Sequence, residues 1–151
     1  MIKIILKGTE SFGKAAIKIR NIKMAIPDML KKICDKFGNK TVRLAKEKYI
    51  LNGGYDAPVD PIRITSRSGN LRRNIFFNTK VDNFKAWLTV GVHKQVPYAH
   101  IHEFGGTSRS SRGKSFFIKA RPYLTPAIEE GLAEFKDDLK NILKRIHAEK
   151  K

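Results

Sequence analysis

His100, His102 and Glu103 are the side chains whose types could do chemistry at close quarters. Histidine and glutamate ligate zinc, and both move protons. Their spacing argues against the zinc-protease pattern, which needs two histidines four apart on a helix with a glutamate between them. Histidines two apart suit a strand edge and point to opposite sides of a helix. His93 and His147 belong to no pattern. Cys34 is the one cysteine; it lies on an apolar helical stripe, where a cysteine acts as a small core residue. Ser108, Ser110 and Ser111 sit in an Arg/Gly loop with no nucleophile-elbow pattern. Glu103 could act as a base, but no partnered acid, carboxylate cluster or phosphate loop accompanies it. No catalytic residue, metal site or cofactor is expected.

The elements that must position these residues belong to a chain of 151 residues, the size of one ordinary domain. Such a length buries roughly 68–70% of the unfolded surface without disulfide or metal staples. A single domain is expected over 1–151, with flexible loops at about 53–68 and 106–115. A lone cysteine forms no internal disulfide and fits a reducing compartment. No run approaches the roughly 20 apolar residues of a membrane span. Met1–Leu6 is too short for a signal-peptide core, and the chain reads as soluble and cytoplasmic.

Charge is the outlier: 31 Lys plus Arg against 14 Asp plus Glu, a net +17. Residues 1–80 carry 18 basic and 6 acidic groups, residues 81–120 carry 6 and 2, and residues 121–151 carry 7 and 6. A field of this sign attracts DNA, RNA or an acidic protein surface and disfavours self-association unless neutralised.

Met1–Leu6 is rich in β-branched residues and predicts a short strand. Thr9, Glu10 and Ser11 offer helix-start chemistry, and Phe12, Ala15, Ala16, Ile19 and Ile22 recur at helical spacing. Pro27 is expected to interrupt this helix or to open a second one. Met29, Leu30, Ile33, Cys34, Phe37, Val42, Leu44, Ala45 and Tyr49 form the next apolar stripe, which Gly38-Asn39 is expected to fray. Asn52-Gly53-Gly54 stops it, and Tyr55–Ser68 reads as an extended loop. Phe76–Thr79, Ala86–Val92 and Ser115–Lys119 predict three strands of one antiparallel sheet, with Val81–Lys85 a turn. Alternation places at least one of Phe76/Phe77 and one of Phe116/Phe117 inward. Leu124, Ile128, Leu132, Phe135, Leu139, Ile142, Leu143 and Ile146 give one apolar face of a long terminal helix. Thr125 is expected to cap it, with acids early and Lys144, Arg145, Lys150 and Lys151 late. The fold class is α+β: a small antiparallel sheet packed against an N-terminal helical region and a long C-terminal helix.

Around the histidines, Tyr98, Ile101 and Phe104 step by three and are expected to face the sheet together. Glu103 is expected to meet a cation, either Arg121 or an arginine of a neighbouring molecule. Gly69, Gly105 and Gly106 suit tight turns. Thr107–Lys114 presents Arg109, Arg112 and Lys114 among small polar residues, and could close on DNA phosphates or on an acidic neighbour.

Three motifs carry a family resemblance. Ser68-Gly69-Asn70-Leu71-Arg72-Arg73-Asn74-Ile75 is similar to a small-Gly-x-Leu-Arg-x-Ser-Ile lead into a sheet, with Asn74 where serine is usual. Pro97–Gly106, containing Tyr98, His102, Glu103 and the glycine pair, is similar to a Tyr-Ala-x-x-His/x-Glu-x-Gly signature. Ala120-Arg121-Pro122-Tyr123-Leu124-Thr125-Pro126-Ala127 is similar to Ala-Arg-Pro-Phe-Leu-x-Pro-Ala, with Tyr123 in place of phenylalanine. In this order they make the chain resemble phage head–tail connector, tail-completion or virion-morphogenesis proteins, the group that includes the Mu virion-morphogenesis protein. Residues 1–67 match in pattern alone. The resemblance implies a non-enzymatic protein that forms an oligomeric ring with copies of itself and with other neck or tail proteins. It would work in the virion after assembly in the host cytoplasm, with possible nonspecific contact with DNA and none with a membrane. Two other classes compete. One is a basic nucleic-acid-binding protein without a virion role, for which no helix-turn-helix, zinc or stacking signature is present. The other is a hydrolase or nuclease built on His100, His102 and Glu103.

Overall fold

The computed structural model describes residues 2–7, 20–56, 58–82, 85–110 and 112–148. The elements run β1 (Ile2–Lys7), α1 (Arg20–Leu44), a π-helical turn (Ala45–Tyr49), β2 (Ile50–Asn52), β3 (Ile64–Ser66), α2 (Asn70–Arg73), β4 (Ile75–Asp82), β5 (Lys85–Val92), α3 (Ala99–Phe104), β6 (Gly106–Arg109), β7 (Ser115–Ile118) and α4 (Leu124–Ala148). The class is α+β. By contact the chain divides into two compact units, one of Met1–Lys40, Phe77–Val90 and Gly131–Lys151, the other of Thr41–Phe76 and Gly91–Glu130.

The first unit holds a three-stranded sheet in the order β1-β5-β4. β1 runs antiparallel to β5, with Ile2 opposite Val90 and Lys7 opposite Lys85. Two residues join β4 to β5, a link that permits only antiparallel pairing. Ala86, Leu88 and Val90 are buried while Trp87 and Thr89 are half-buried, the alternation of a strand with one face on a core. Helix α1 contributes Ile26, Ile33, Cys34 and Phe37 to that core. Phe37 meets Phe135 of α4 with ring centroids 4.7 Å apart. Beside this contact, Lys36 Nζ lies 2.8 Å from both Glu134 and Asp138, and Lys40 also pairs with Glu134. These two lysines hold the Glu134 carboxyl at about 2, well below the usual carboxylate range.

Several expectations change here. The third strand of this sheet is β1; Ser115–Ile118 pairs elsewhere. β1 is a run of β-branched and aliphatic residues that pairs with β5 along its whole length, whereas Ser115–Ile118 is taken up by β6. Helix α1 passes through Pro27 without a break. Proline's fixed φ is itself helical, and one lost hydrogen bond and a local clash are offset by burial of Ile26, Ile33 and Phe37 around it. Gly38 does not fray the helix either. It is buried, and a Cβ there would overlap the Phe77 ring on β4. The missing side chain lets that ring approach the helix backbone. The helix-start residues Thr9–Ser11 and the first apolar positions, Phe12–Ile19, lie outside the described residues, as does the centre of the expected 81–85 turn. So do Lys150 and Lys151 beyond the end of α4.

In the second unit, β2 and β3 pair in parallel, with Ile50 opposite Ile64 and Asn52 opposite Ser66. The segment expected as loop over 53–68 thus supplies a strand, fixed by the buried Ile64 and Ser66. Asp60 closes the preceding turn by accepting from the amides of Ile62 (2.8 Å) and Arg63 (2.6 Å). The expected 106–115 loop is likewise a hairpin, with Gly106 opposite Ile118 and Arg109 opposite Ser115. Glu130 of α4 joins this unit through Lys48 Nζ at 2.7 Å and the Tyr49 hydroxyl at 2.9 Å.

Candidate functional site

The second unit brings the three sequence motifs together. At Gly69 (φ 72°) the chain turns into the single turn α2, whose Leu71 is buried. Asn74, the residue in the unusual serine position, ends that turn. Its side-chain amide donates to the Asn70 backbone oxygen (2.8 Å) and to Asn70 Oδ1 (2.9 Å), and its own Oδ1 accepts from Gln95. Asn70 Nδ2 reaches the Tyr98 hydroxyl at 3.3 Å, joining the first motif to the second. Four apart on a turn, Asn70 and Asn74 face the same way. A serine at 74 could not span both partners. Arg72 is half-buried.

Helix α3 carries the second motif. Its inner face is Ala99 and Glu103, four apart and buried. This corrects the expected inward trio. Ile101 is half-buried, whereas Tyr98 is 39% and Phe104 57% exposed. A step of three drifts around a short helix, while the four-residue step from Ala99 to Glu103 stays on one face. His100 lies on the outside, its ring 4.9 Å from Phe104. His102 is half-buried with its ring edge-on to Tyr98, centroids 5.9 Å apart. Burial, and then the nearby Arg121 charge, lower its pKa from the ordinary histidine value.

Glu103 is the centre of the arrangement. One carboxylate oxygen accepts from the amides of Tyr123 (2.9 Å) and Leu124 (3.0 Å), the other from the amide of Thr125 (2.7 Å). Those amides are the start of α4. The first amides of any helix lack partners inside it and carry the positive end of its dipole. The first turn of α4 contains no acid, so the matching charge comes from α3, across about twenty residues of chain. Two expectations are corrected. Thr125 does not cap α4, because its own amide is one of the groups capped. Glu103 does not brace Arg121, because three directed hydrogen bonds with favourable dipole already satisfy both of its oxygens. Arg121 instead donates its backbone amide to the His102 carbonyl at 2.7 Å, and its buried Nε has no partner among the described residues. Tyr123 is fully enclosed beneath this cap. Burial, then Glu103 and Tyr98, push its phenol well above the usual tyrosine value.

Gly105 lets the third motif close against the second. It follows α3 at φ 74°, and a Cβ there would sit 3.0 Å from the Ala120 amide nitrogen. Both facts exclude an ordinary side chain. Pro122 is exposed just before α4 begins. Arg109, Arg112 and Lys114 are all exposed on the hairpin. Its turn is closed by Ser110, whose amide donates to the Lys114 carbonyl at 2.8 Å. Phe116 and Phe117 are 49% and 74% exposed, so neither points into a core as alternation suggests. A two-stranded ribbon has two faces, and among the described residues no second layer covers the outer one. Ser111 lies outside the described residues.

Chemically, the site is a helix cap and a hydrogen-bonded frame. Among the described residues no three His, Cys, Asp or Glu side chains gather as a metal site, and no helix is long and apolar enough to cross a membrane. Cys34 is buried, its thiol pushed up to about 11 by burial and then by Asp35. The Asn70–Asn74–Gln95 network is not read from the sequence as a unit, although the four-residue spacing of the two asparagines is present in it. Compared with known proteins, the chain matches no family model, no curated protein and no solved structure.

Proposed function

We propose that this chain is a non-enzymatic assembly protein of a phage or prophage neck, one that joins or completes the tail as a ring of copies. The observation that carries this reading is the use of Glu103. The most reactive-looking carboxylate in the chain faces three backbone amides, and the three motifs around it are locked to one another by hydrogen bonds. That is how a frame is held rigid, and a rigid frame suits a subunit that must dock at a fixed angle. A head-to-tail ring closes only if each interface imposes the same rotation. The outer face of α3, with Tyr98, His100 and Phe104 exposed, offers aromatic area of the kind enriched at interface centres. The net +17 opposes association until a polyanion or an acidic platform neutralises it. Such a protein would stay dispersed until its platform is complete.

The test is native mass spectrometry and light scattering of the purified chain, alone and mixed with whatever portal and tail-tube proteins its genome encodes. A ring, or a complex that forms only with the platform and weakens in Phe104→Ala, is the expected result. A strict monomer that joins neither component refutes the reading. So does robust turnover of a phosphodiester or ester that vanishes in His102→Ala.

A further inference from the structure

We propose that the outward face of the β6–β7 hairpin binds single-stranded nucleic acid, with bases stacked on Phe117 and phosphates held by Arg109 and Lys119. The inference stands apart from the ring reading, because it rests on this hairpin alone.

Residues opposite one another in an antiparallel pair share a face. Thr107 is opposite Phe117 and Arg109 is opposite Ser115, so these four lie together, and all four are exposed. Phe117, at 74%, is the most exposed of the large hydrophobic aromatics among the described residues. The other face carries Gly106, Ser108 and Ile118, all half-buried, and Phe116, which at 49% is less exposed than Phe117; a Cβ at Gly106 would lie 3.5 Å from Ile101 of α3. The first face is the one fully open to solvent, and the second is partly covered at its Gly106–Ile118 end. The solvent face is aromatic at its centre and cationic at its ends, since Lys119 follows two residues after Phe117 and is also exposed.

A single exposed phenylalanine needs no explanation. The charge around it supplies the second observation. From Phe104 to Ile128 there is no Asp or Glu, against five cations: Arg109, Arg112, Lys114, Lys119 and Arg121. None of the four on the hairpin and its flank enters an ion pair among the described residues. Thr107 and Ser115 add hydroxyls, which commonly bond phosphate oxygens.

A second copy of the chain is a poor occupant, because the acids of α4 at Glu130, Glu134 and Asp138 are engaged by lysines of their own chain. A duplex hides its base faces in the stack and would leave Phe117 only groove edges. An unpaired strand offers both a π face and a phosphate at each step, the combination that sequence-tolerant single-strand sites use.

The experiment is fluorescence anisotropy with labelled oligo(dT), oligo(U) and a duplex of equal length, over a series of salt concentrations. Phe117→Ala should weaken single-strand binding by about 5- to 150-fold, the usual effect of removing one stacking platform. Phe117→Tyr should keep the affinity. Arg109→Ala with Lys119→Ala should reduce the slope of log K against log salt by about 1.4, at roughly 0.7 per phosphate released from a single strand. Lys80→Ala with Lys94→Ala, two exposed cations elsewhere, should leave that slope unchanged. A preference for oligo(dT) or for oligo(U) supports the proposal equally and tells DNA from RNA. Three results overturn it: equal affinity in Phe117→Ala, duplex binding that is tighter and indifferent to Phe117, or loss of a protein complex in Phe117→Ala with oligonucleotide affinity intact.

Discussion

Replacing Glu103 removes the cap that α4 cannot make for itself. In Glu103→Ala three buried or half-buried amides, at Tyr123, Leu124 and Thr125, lose their acceptor together. Loss of an ordinary N-cap costs about 0.5–2 kcal/mol. Here the acceptor is charged and buried, with hydrogen bonds to a charged group contributing about 1.5–3 kcal/mol each. The three share one carboxylate and do not add, so about 3–5 kcal/mol is expected for the whole. Glu103→Gln keeps the shape and one acceptor oxygen, but turns an NH2 toward at least one amide donor and loses the charge–dipole attraction. About 2 kcal/mol is expected for it. For a chain of this length roughly 2–4 °C of Tm follows each kcal/mol, which puts the alanine variant about 10 °C below wild type. Denaturant melts followed by circular dichroism give the order wild type, then Gln, then Ala. Hydrogen exchange gives the location, with protection lost first at the amides of residues 123–125. An alanine variant within about 0.5 kcal/mol of wild type, or one whose three amides stay protected, would refute the capping argument.

Gly38→Ala should destabilise by about 1–3 kcal/mol through overpacking against Phe77, despite the better helix propensity of alanine; a gain in stability on thermal melting would show that the contact is not needed. Glu134 has a folded-state pKa of about 2 against an ordinary 4.5. Its ion pairs therefore contribute above about pH 4.5 and are lost as pH falls toward 2. Titrating the Glu134 carboxyl by NMR in wild type and in Lys36→Ala with Lys40→Ala should show the midpoint return toward 4.5 in the double variant; an unmoved midpoint contradicts the assignment. Cys34, buried with its thiol raised to about 11, should resist alkylation at about pH 8 in the native protein and react promptly in denaturant; fast native labelling would mean that α1 opens.

Local regularity is legible in the order of the residues. The alternation Ala86–Val90 is the alternation of β5, and the stripe from Ile33 to Phe37 is the buried face of α1. Where local reading misleads, a long-range contact reverses a local preference. By propensity Gly38 is a weakness of its helix; in the fold it is a contact with Phe77. By propensity Pro27 is a boundary; in the fold it lies inside a helix that buries Ile26 just before it and Ile33 and Phe37 after it. Alternation places at least one of Phe116 and Phe117 inward, but both rings are exposed on a hairpin with no layer over its outer face among the described residues. At the candidate site, the residue types are evident and the pairings are not. Charge alone matches Glu103 to Arg121, yet the amides of α4 satisfy it better because they are preformed, directed and aligned with the dipole.

The periodicities, the cationic surplus, the absence of acid from residues 104–128 and the glycines where the backbone turns left-handed at 69 and 105 all belong to the linear chain. These are properties of single residues or of neighbours three and four apart, written directly in their order. Folding alone selected β1 to complete the sheet, β7 to pair with β6, and a carboxylate on α3 to cap α4. Such partners are chosen by which buried groups would otherwise remain unsatisfied, and that depends on distant segments meeting, for which the linear order carries no period.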